Sequence, residues 1–165
     1  MVRGMEIREY AAADWPQVWP IIAEVVRARD TFMYDPDMTE AQARGTWIET
    51  PPGLTVVALA GGRVAGTAKM GPNYPGPGAH VASASFMVAA SARGQGVGCA
   101  LAEFAVGWAK DRDYAGMQFN AVAASNHHAV RLYQRLGFEV IGTVPGAFAH
   151  PRLGRVGLHI MYLGF

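Results

Sequence analysis

The sequence contains a single cysteine, Cys99, among its 165 residues. One cysteine excludes an internal disulfide bond and a zinc site built from cysteine thiolates. An excess of one charge is also missing, because 14 Lys and Arg are balanced by 13 Asp and Glu, for a net charge of +1. This balance argues against a protein that binds nucleic acid through bulk positive charge.

Long apolar runs are absent as well. No stretch approaches the ~20 apolar residues that a membrane span requires, and the first residues, MVRGMEIREY, lack the apolar core of a signal peptide. We therefore expect no membrane segment, no nucleic-acid partner and a cytoplasmic location. The hydrophobic fraction of 51% is enough for one well-buried domain over residues 1–165.

Periodicity and capping residues predict the element order βααβββαβαββ, in one α+β or mixed α/β domain. The predicted helices run from Asp14, as an N-cap, to about Arg29, over roughly 40–48, from about Gly96 to Asp111, and from Asn126 to Leu136. The predicted strands are 5–11, 54–60, 63–70, 80–88, 116–124, 138–144 and 156–163. The segment 145–155, PGAFAHPRLGR, is predicted to be a loop between the last two strands.

Three glycines alternate just before the third predicted helix, at Gly94, Gly96 and Gly98. Glycines let backbone N–H groups converge on one point, and a helix N-terminus adds unpaired donors with a partial positive charge. This combination favours a phosphate or pyrophosphate ligand, although a turn without any ligand is the alternative. A P-loop is excluded because Gly98 is followed by Cys99 and Ala100, and the dinucleotide fingerprint lacks its third glycine.

Two motifs resemble those of one enzyme family. The run Arg93-Gly94-Gln95-Gly96-Val97-Gly98 matches the Gln/Arg-x-x-Gly-x-Gly/Ala signature of the GCN5-related N-acetyltransferases (GNAT family). The stretch 126–138, NHHAVRLYQRLGF, looks like that family's Asn-x-x-Ala-x-x-Leu-Tyr-x-x-x-Gly-Phe. With the matching element order, the two motifs cover nearly the whole chain. The C-terminal part also resembles the phosphinothricin and amino-acid acetyltransferases. The resemblance implies a GNAT fold, with a central mixed seven-stranded sheet flanked by about four helices.

The resemblance also implies a function. It predicts an acetyl-CoA-dependent N-acetyltransferase that uses no metal and moves an acetyl group directly to a primary amine in a ternary complex. A small amine or amino acid is the expected acceptor. Two alternatives stay open: a CoA-binding sensor or scaffold without turnover, and a protein N-terminal or lysine acetyltransferase. The apolar last strand, VGLHIMYL, suits the homodimer that relatives often form there.

In the family, the fourth and fifth strands splay, and the pantetheine arm of CoA lies between them. The resemblance places the arm against the backbone of the fourth strand, with the N–H of Val88 as the candidate donor to the thioester oxygen. The pyrophosphate is expected on the amides from Gly94 to Cys99, and Asn126 is expected both to cap its helix and to contact the arm. The predicted cofactor-binding residues are Phe86, Met87, Val88, Arg93, Gly94, Gln95, Gly96, Val97, Gly98, Cys99 and Asn126.

Tyr133 is the predicted general acid, because a phenol with a pKa of ~10 stays protonated at neutral pH and can donate to a thiolate. The alternative is a half-buried tyrosine with a packing role only. Many relatives carry a base glutamate on the fourth strand, but HVASASFMV has no carboxylate. His80 is the nearest titratable group and is the candidate base. The alternatives are that His80 is a surface histidine without a catalytic role, or that water beside Ser83 or Ser85 accepts the proton.

The remaining candidates concern the acceptor and the other polar groups. His127 and His128 are expected to be exposed, His150 to lie in a flexible loop, and His159 to lie on one face of the last strand. Cys99 invites a covalent mechanism, but the family transfers directly, so we expect a packing role. The candidate acceptor residues are Asp30, Phe32, Tyr34, Asp35, Asn73, Tyr74 and Phe148, most of which are equally compatible with solvated loops or lid packing.

Overall fold

The computed structural model describes residues 4–165 and contains a seven-stranded mixed sheet with four helices. The strands are β1 (Met5–Glu9), β2 (Leu54–Ala60), β3 (Arg63–Pro72), β4 (Val81–Val88), β5 (Gly116–Ala123), β6 (Glu139–His150) and β7 (Gly154–Gly164). The helices are α1 (Trp15–Ala28), α2 (Glu40–Trp47), α3 (Val97–Lys110) and α4 (His127–Arg135). Their order along the chain confirms the predicted βααβββαβαββ.

The sheet order is β1-β2-β3-β4-β5-β7-β6, and every neighbouring pair is antiparallel except β4 and β5. The parallel pair is short, because only Val81 and Ala82 of β4 are in register with β5, opposite Gly116 and Met117. A register shift between Phe119 and Val122 then bends β5 against β7. The centre of the sheet therefore opens into a gap after the second residue of β4, as the resemblance implied.

Two hydrophobic cores lie on opposite faces of this sheet. On one face, α3 packs Leu101 and Ala105 over β3, β4 and β5, in a core that also contains the fully buried Met117 of β5 and Met161 of β7. On the other face, α1 and α2 cover β2, β3 and β4 with a second set of buried side chains: Val18, Ile22, Val26, Trp47, Val57 and Met87. Because strand side chains alternate between the two faces of a sheet, consecutive residues of β4 contribute to different cores.

Most helix ends lie within one residue of the prediction, but Asp14 does not cap α1 with its side chain. Its carboxylate accepts two hydrogen bonds of 2.8 Å from Arg8 and one of 2.8 Å from the amide of Ala11. These contacts hold the pKa of Asp14 below its usual value, with the Arg8 hydrogen bond as the largest cause. The residue therefore ties β1 to the start of α1. The predicted capping box of α2 is confirmed, since Thr39 accepts from the amide of Gln42.

The prediction of a loop over 145–155 is wrong. β6 continues to His150 and β7 begins at Gly154, so only a tight turn joins them. Pro145 and Gly146 are tolerated because β6 is the edge strand, and its pairing with β7 is interrupted between Val144 and Phe148. His150 is correspondingly buried and ordered, since its Nδ1 accepts hydrogen bonds of 3.2 Å from two amides of the turn.

Candidate active site

The glycine loop connects the end of β4 to α3 in a backbone conformation that needs glycine. Gly94 has φ of 76° and Gly96 has φ of 80°, both in the left-handed region that L side chains rarely adopt. The start of α3 is held down on the sheet because Val97 is buried above Gly66, where an added Cβ would meet Val97 Cγ1 at 2.8 Å. Residues 94–99 therefore form a rigid turn at the end of the central gap.

Most amides of this turn are free to bind a ligand. Within residues 4–165, the N–H groups of Gly94, Gly96 and the first three helical residues, 97–99, donate to no backbone or side-chain acceptor. Arg93 and Gln95 instead donate their amides to carbonyls of the preceding turn, both at 3.3 Å. Five free amides at a helix N-terminus suit a pyrophosphate. The exposed guanidinium of Arg93 adds positive charge beside them.

The edge of β4 that faces the gap is defined by its pairing with β3. The amide of Ala89 donates to the carbonyl of Ala65 on β3 at 2.9 Å. Hydrogen-bonding direction alternates along an antiparallel pair, so the amides and carbonyls of Phe86 and Val88 point away from β3 and into the gap. Those of Met87 point to β3, and its side chain is buried beneath α1 and α2. Of the three predicted residues, only Phe86 and Val88 offer backbone groups to a ligand in the gap.

Tyr133 lies beside this edge, in a cluster of aromatic rings. Its ring centroid is 4.5 Å from that of Phe119, 6.1 Å from Phe86 and 6.0 Å from Phe138. Burial raises the pKa of the Tyr133 hydroxyl well above its usual value of 10.0, and no hydrogen bond from the described residues offsets that effect. The side chain is thus held rigidly and stays protonated over the whole neutral range.

Asn126 and Cys99 lie at the starts of two different helices, α4 and α3. The Oδ1 atom of Asn126 accepts a 3.3 Å hydrogen bond from the amide of Ala129, which confirms the predicted cap and leaves Nδ2 available. Burial, together with a 3.5 Å hydrogen bond from Cys99 Sγ to Glu103, raises the pKa of the Cys99 thiol. A raised pKa keeps the sulfur protonated and argues against a thiolate nucleophile.

His80 is placed far from the aromatic cluster. It precedes β4 at the opposite end from the glycine loop, and six residues of extended strand separate it from Phe86, about 20 Å. It is exposed and lines a separate cavity of about 710 Å³, together with Glu49, Trp108 and Arg112. This placement argues against His80 as the base for an amine held near Phe86.

The other histidines have different surroundings. His127 and His128 are exposed in the first turn of α4, as expected. His159 lies on β7 and pairs its Nδ1 with Thr143 Oγ1 at 2.7 Å across the C-terminal hairpin. The structure therefore brings Tyr133, Phe86, Val88 and the glycine loop together.

The predicted acceptor residues divide into packed and exposed groups. Phe32 packs on Trp47, and Phe148 is buried against Ala123 and Leu158, so both have structural contacts. Tyr34 packs against Phe32 with the rings tilted by 39° and their centroids 5.4 Å apart. Three others differ in their surroundings: Tyr74 is exposed, Asp30 is half-buried, and Asp35 accepts a hydrogen bond from the amide of Asp37.

Asn73 is the exception among these residues, because it belongs to a network that sequence reasoning missed. Its side chain exchanges two hydrogen bonds with Asn120 of β5, at 3.1 and 2.7 Å, and Gln118 donates to Asn120 Oδ1 at 2.8 Å. The strand GMQFNAVA carried the relevant signal. Its polar residues alternate with Met117 and Phe119, so Gln118 and Asn120 had to share the opposite face of a central strand.

No group of three His, Cys, Asp or Glu side chains within residues 4–165 is arranged to hold a metal ion. None of the described helices has the length and hydropathy needed to cross a membrane.

Comparison with known proteins gives consistent matches. The model of the "Acetyltransferase (GNAT) family" matches residues 6–138. The structure of a GCN5-related N-acetyltransferase from Kribbella flavida is 52% identical, covers 98% of both chains and superposes with a TM-score of 0.95. A phosphinothricin acetyltransferase from Sinorhizobium meliloti, solved with AcCoA, has a TM-score of 0.87 over 98% of this chain and 89% of its own, at 22% identity, and so supports the fold alone.

Curated relatives match over a shorter stretch. The N-acetyltransferase aca1 of Schizosaccharomyces pombe is 36% identical over 76 residues, which is 46% of this chain and 36% of that protein. The chain thus spans about a third or less of the length of the curated relatives it matches.

Proposed function

Because the chain belongs to the acetyltransferase (GNAT) family, we propose that it is an acetyl-CoA-dependent enzyme that acetylates the primary amine of a small molecule or amino acid. The observation that carries this proposal is the set of five free amides at residues 94 and 96–99, beside the gap between β4 and β5. Acetyl-CoA would supply the acetyl group as a thioester. The residues of this chain bind, orient and exchange protons around it.

Binding would rest mainly on the backbone. The amides of Gly94, Gly96 and residues 97–99 suit the pyrophosphate, with Arg93 as a neighbouring cation. The unpaired edge of β4 offers the amides of Phe86 and Val88 to an extended ligand, in the manner of strand addition. The Nδ2 of Asn126, which donates to no acceptor within the described residues, would contact the pantetheine arm from the start of α4.

One of the two gap-facing amides would polarise the reacting carbonyl. Val88 N–H is the candidate named from the sequence, and Phe86 N–H is the second, because the Phe86 ring contacts Tyr133. A preplaced amide donor requires no reorganisation when charge develops on the oxygen. Such a donor contributes about 2.7–4 kcal/mol to lowering the barrier.

Tyr133 would act at the departing sulfur. Its hydroxyl stays protonated because burial raises its pKa, and three neighbouring aromatic rings fix its direction. The Oη–H group then donates a hydrogen bond to the sulfur, and the proton transfers as negative charge accumulates there.

No carboxylate of the two strands beside the gap can accept the amine proton, since neither β4 nor β5 carries a charged side chain. His80 is about 20 Å away along the strand. We propose that water accepts the proton, held by backbone carbonyls of the gap and the half-buried hydroxyls of Ser83 and Ser85.

An amine panel tests this function most directly. The chain is incubated with acetyl-CoA and single amines, amino acids or lysine peptides, and free thiol and acetylated product are measured together. Equal formation of CoA thiol and one N-acetylated small amine is the expected result. CoA binding without turnover across the panel would favour the sensor or scaffold, and turnover on peptides alone would favour a protein acetyltransferase.

We also propose a homodimer formed through the edge strand β6. Val140, Ile141 and Val144 are exposed there, and Ile141 is 59% accessible. An apolar, unpaired edge favours pairing with a second copy. Light scattering with size exclusion should give a dimer for the parent chain and a monomer for Ile141→Lys; a parent monomer would reject the proposal.

Two further expectations remain proposals. Residues 1–165 are proposed to act as one N-acetyltransferase domain, because both hydrophobic cores pack on a single sheet. A cytoplasmic location is proposed, since the one thiol, Cys99, is unpaired and acetyl-CoA is the proposed cosubstrate.

A further inference from the structure

Three carboxamide side chains, which we call the carboxamide clasp, meet on the side of the sheet opposite α3, at a solvent-accessible place. The clasp consists of Asn73, Gln118 and Asn120. Asn73 Nδ2 donates to Asn120 Oδ1 at 3.1 Å, and Asn120 Nδ2 donates to Asn73 Oδ1 at 2.7 Å. Gln118 Nε2 donates to the same Asn120 oxygen at 2.8 Å. Asn120 is thus fixed from both sides.

The clasp lies where the gap opens. Asn73 follows the end of β3 and is hydrogen-bonded through its amide to Val81 of β4 at 2.8 Å, whereas Gln118 is the first residue of β5 beyond the β4 pairing. The bridge therefore passes from β3 across β4 to β5. Asn120 belongs to the bulged segment of β5, and a bulge redirects a side chain away from the regular strand position.

The clasp keeps unused hydrogen-bonding capacity on a solvent-accessible surface. Each carboxamide has two N–H donors and one carbonyl oxygen, and each nitrogen in the clasp donates only once within the described residues. Gln118 Oε1 accepts no hydrogen bond there. Asn120 is exposed and the other two side chains are half-buried, so the free groups are accessible.

The strands beside the clasp present mostly uncharged polar side chains. β4 and β5 contribute Ser83 and Ser85 and no charged group. Lys69 of β3 faces the same side, but its ammonium donates to the Thr46 carbonyl at 2.8 Å and lies 3.4 Å from Glu49. A free carboxylate bound here would have to compete with Glu49 for the ammonium of Lys69 in order to offset its desolvation. An uncharged group that donates and accepts hydrogen bonds suits the clasp better.

We propose that the carboxamide clasp determines acceptor specificity: Asn120, positioned by Asn73 and Gln118, binds an uncharged amide or hydroxyl group next to the acceptor's primary amine. The inference rests on the proposed function, because it takes the gap beside Phe86 as the place where acetyl transfer occurs. Asn120 contacts the acceptor, whereas Asn73 and Gln118 hold Asn120 in place.

Kinetics with matched amines test the proposal. L-Alaninamide is compared with 3-methylbutan-2-amine, which has the same shape without the amide, and with L-alanine, which has a carboxylate instead. For Asn120→Ala, we expect the KM for L-alaninamide to rise about tenfold while kcat and the Kd for CoA change by less than twofold. The KM for 3-methylbutan-2-amine should not change. Gln134→Ala, an exposed carboxamide of α4, is the matched control.

Two kinetic results would overturn the proposal. An equal rise in KM for both amines means that the clasp recognises no amide. A weaker Kd for CoA in Asn120→Ala means that the clasp only holds the strands together. Gln118→Met, which keeps length without hydrogen bonds, should give a smaller rise in the KM for L-alaninamide if Gln118 positions Asn120.

Nuclear magnetic resonance supplies a measurement that needs no turnover. L-Alaninamide is titrated into the 15N-labelled chain saturated with CoA, and the side-chain NH2 signals are followed. We expect those of Asn73, Gln118 and Asn120 to shift while that of Gln134 stays fixed. Shifts without turnover in the amine panel would reject the proposed function and keep the clasp; absent shifts would reject the clasp, whatever the panel shows.

Discussion

The glycine loop and the carboxamide clasp bind in two different ways. The loop offers main-chain amides, and its side chains are small or point away, whereas the clasp offers side chains from strands that are distant in sequence. Asn73 and Asn120 are 47 residues apart. A backbone site leaves a local trace, because left-handed positions such as Gly94 and Gly96 require glycine at fixed spacing. A side-chain network across strands leaves no such trace.

The largest expected effect on turnover comes from Tyr133, which belongs to neither region. Tyr133→Phe keeps the ring packing with Phe119 and removes only the hydroxyl, so we expect kcat to fall about 100-fold, in the range of general acid catalysis, with an unchanged Kd for CoA. Since burial raises its pKa above 10.0, the hydroxyl stays protonated throughout neutral and mildly alkaline pH. The parent chain should therefore show no loss of kcat from Tyr133 ionisation below pH 10. Unaltered turnover in Tyr133→Phe would remove it from the mechanism.

The next largest effect is expected from a substitution that disturbs the backbone of the glycine loop. Gly96→Val forces a β-branched residue into φ of 80°, which displaces the neighbouring amides, and we expect the Kd for CoA to rise about 30-fold, or about 2 kcal/mol. Gly62→Val is the matched control, because Gly62 has φ of 75° in the β2–β3 turn with nothing within 4 Å of an added Cβ. Both variants should lose similar stability. Calorimetry that found equal CoA affinity in the two would contradict the loop assignment.

A smaller effect is expected from a side chain in the same loop. Cys99→Ala removes the thiol and leaves the Cys99 amide in place, so CoA affinity and kcat should stay within about twofold of the parent chain. The raised pKa of the thiol already argues against a thiolate. If Cys99→Ala lost most turnover, and an acetylated cysteine were found by mass spectrometry in the parent chain, direct transfer would be wrong.

The smallest effect should come from the far end of β4. His80→Ala alters an exposed residue about 20 Å from Phe86, so the dependence of kcat/KM on pH should be superimposable on that of the parent chain. A flattened rise between pH 6 and 8 in the variant would restore His80 as the base.

Local features were predictable from the sequence because their causes are local. The Thr39–Gln42 capping box and the Asn126 cap both form as predicted, and the element order is confirmed. Asp14 was misassigned because its partner, Arg8, lies on another element. The strand over Pro145 and Gly146 was missed because only the sheet order reveals that β6 is an edge.

The orientation of residues within the sheet was the other cause of differences between the predictions and the structure. The sequence does not distinguish the backbone groups of Phe86, Met87 and Val88. The register with β3 decides which of these groups face the gap. The direction of β4 places His80 about 20 Å from Phe86, although His80 is the titratable group nearest to that strand in the sequence. For Asn120, alternation predicts the face, and only the folded chain brings Asn73 within hydrogen-bonding distance.

A crystal structure of the chain with CoA tests the central claim most directly, by measuring the distances from the diphosphate oxygens to the amides of residues 94–99. We expect at least three of the five amides at Gly94, Gly96, Val97, Gly98 and Cys99 to lie within ~3.2 Å of those oxygens, with the Gln95 amide still bonded to Ala92. A diphosphate bound elsewhere, or amides turned away from it, would contradict the account.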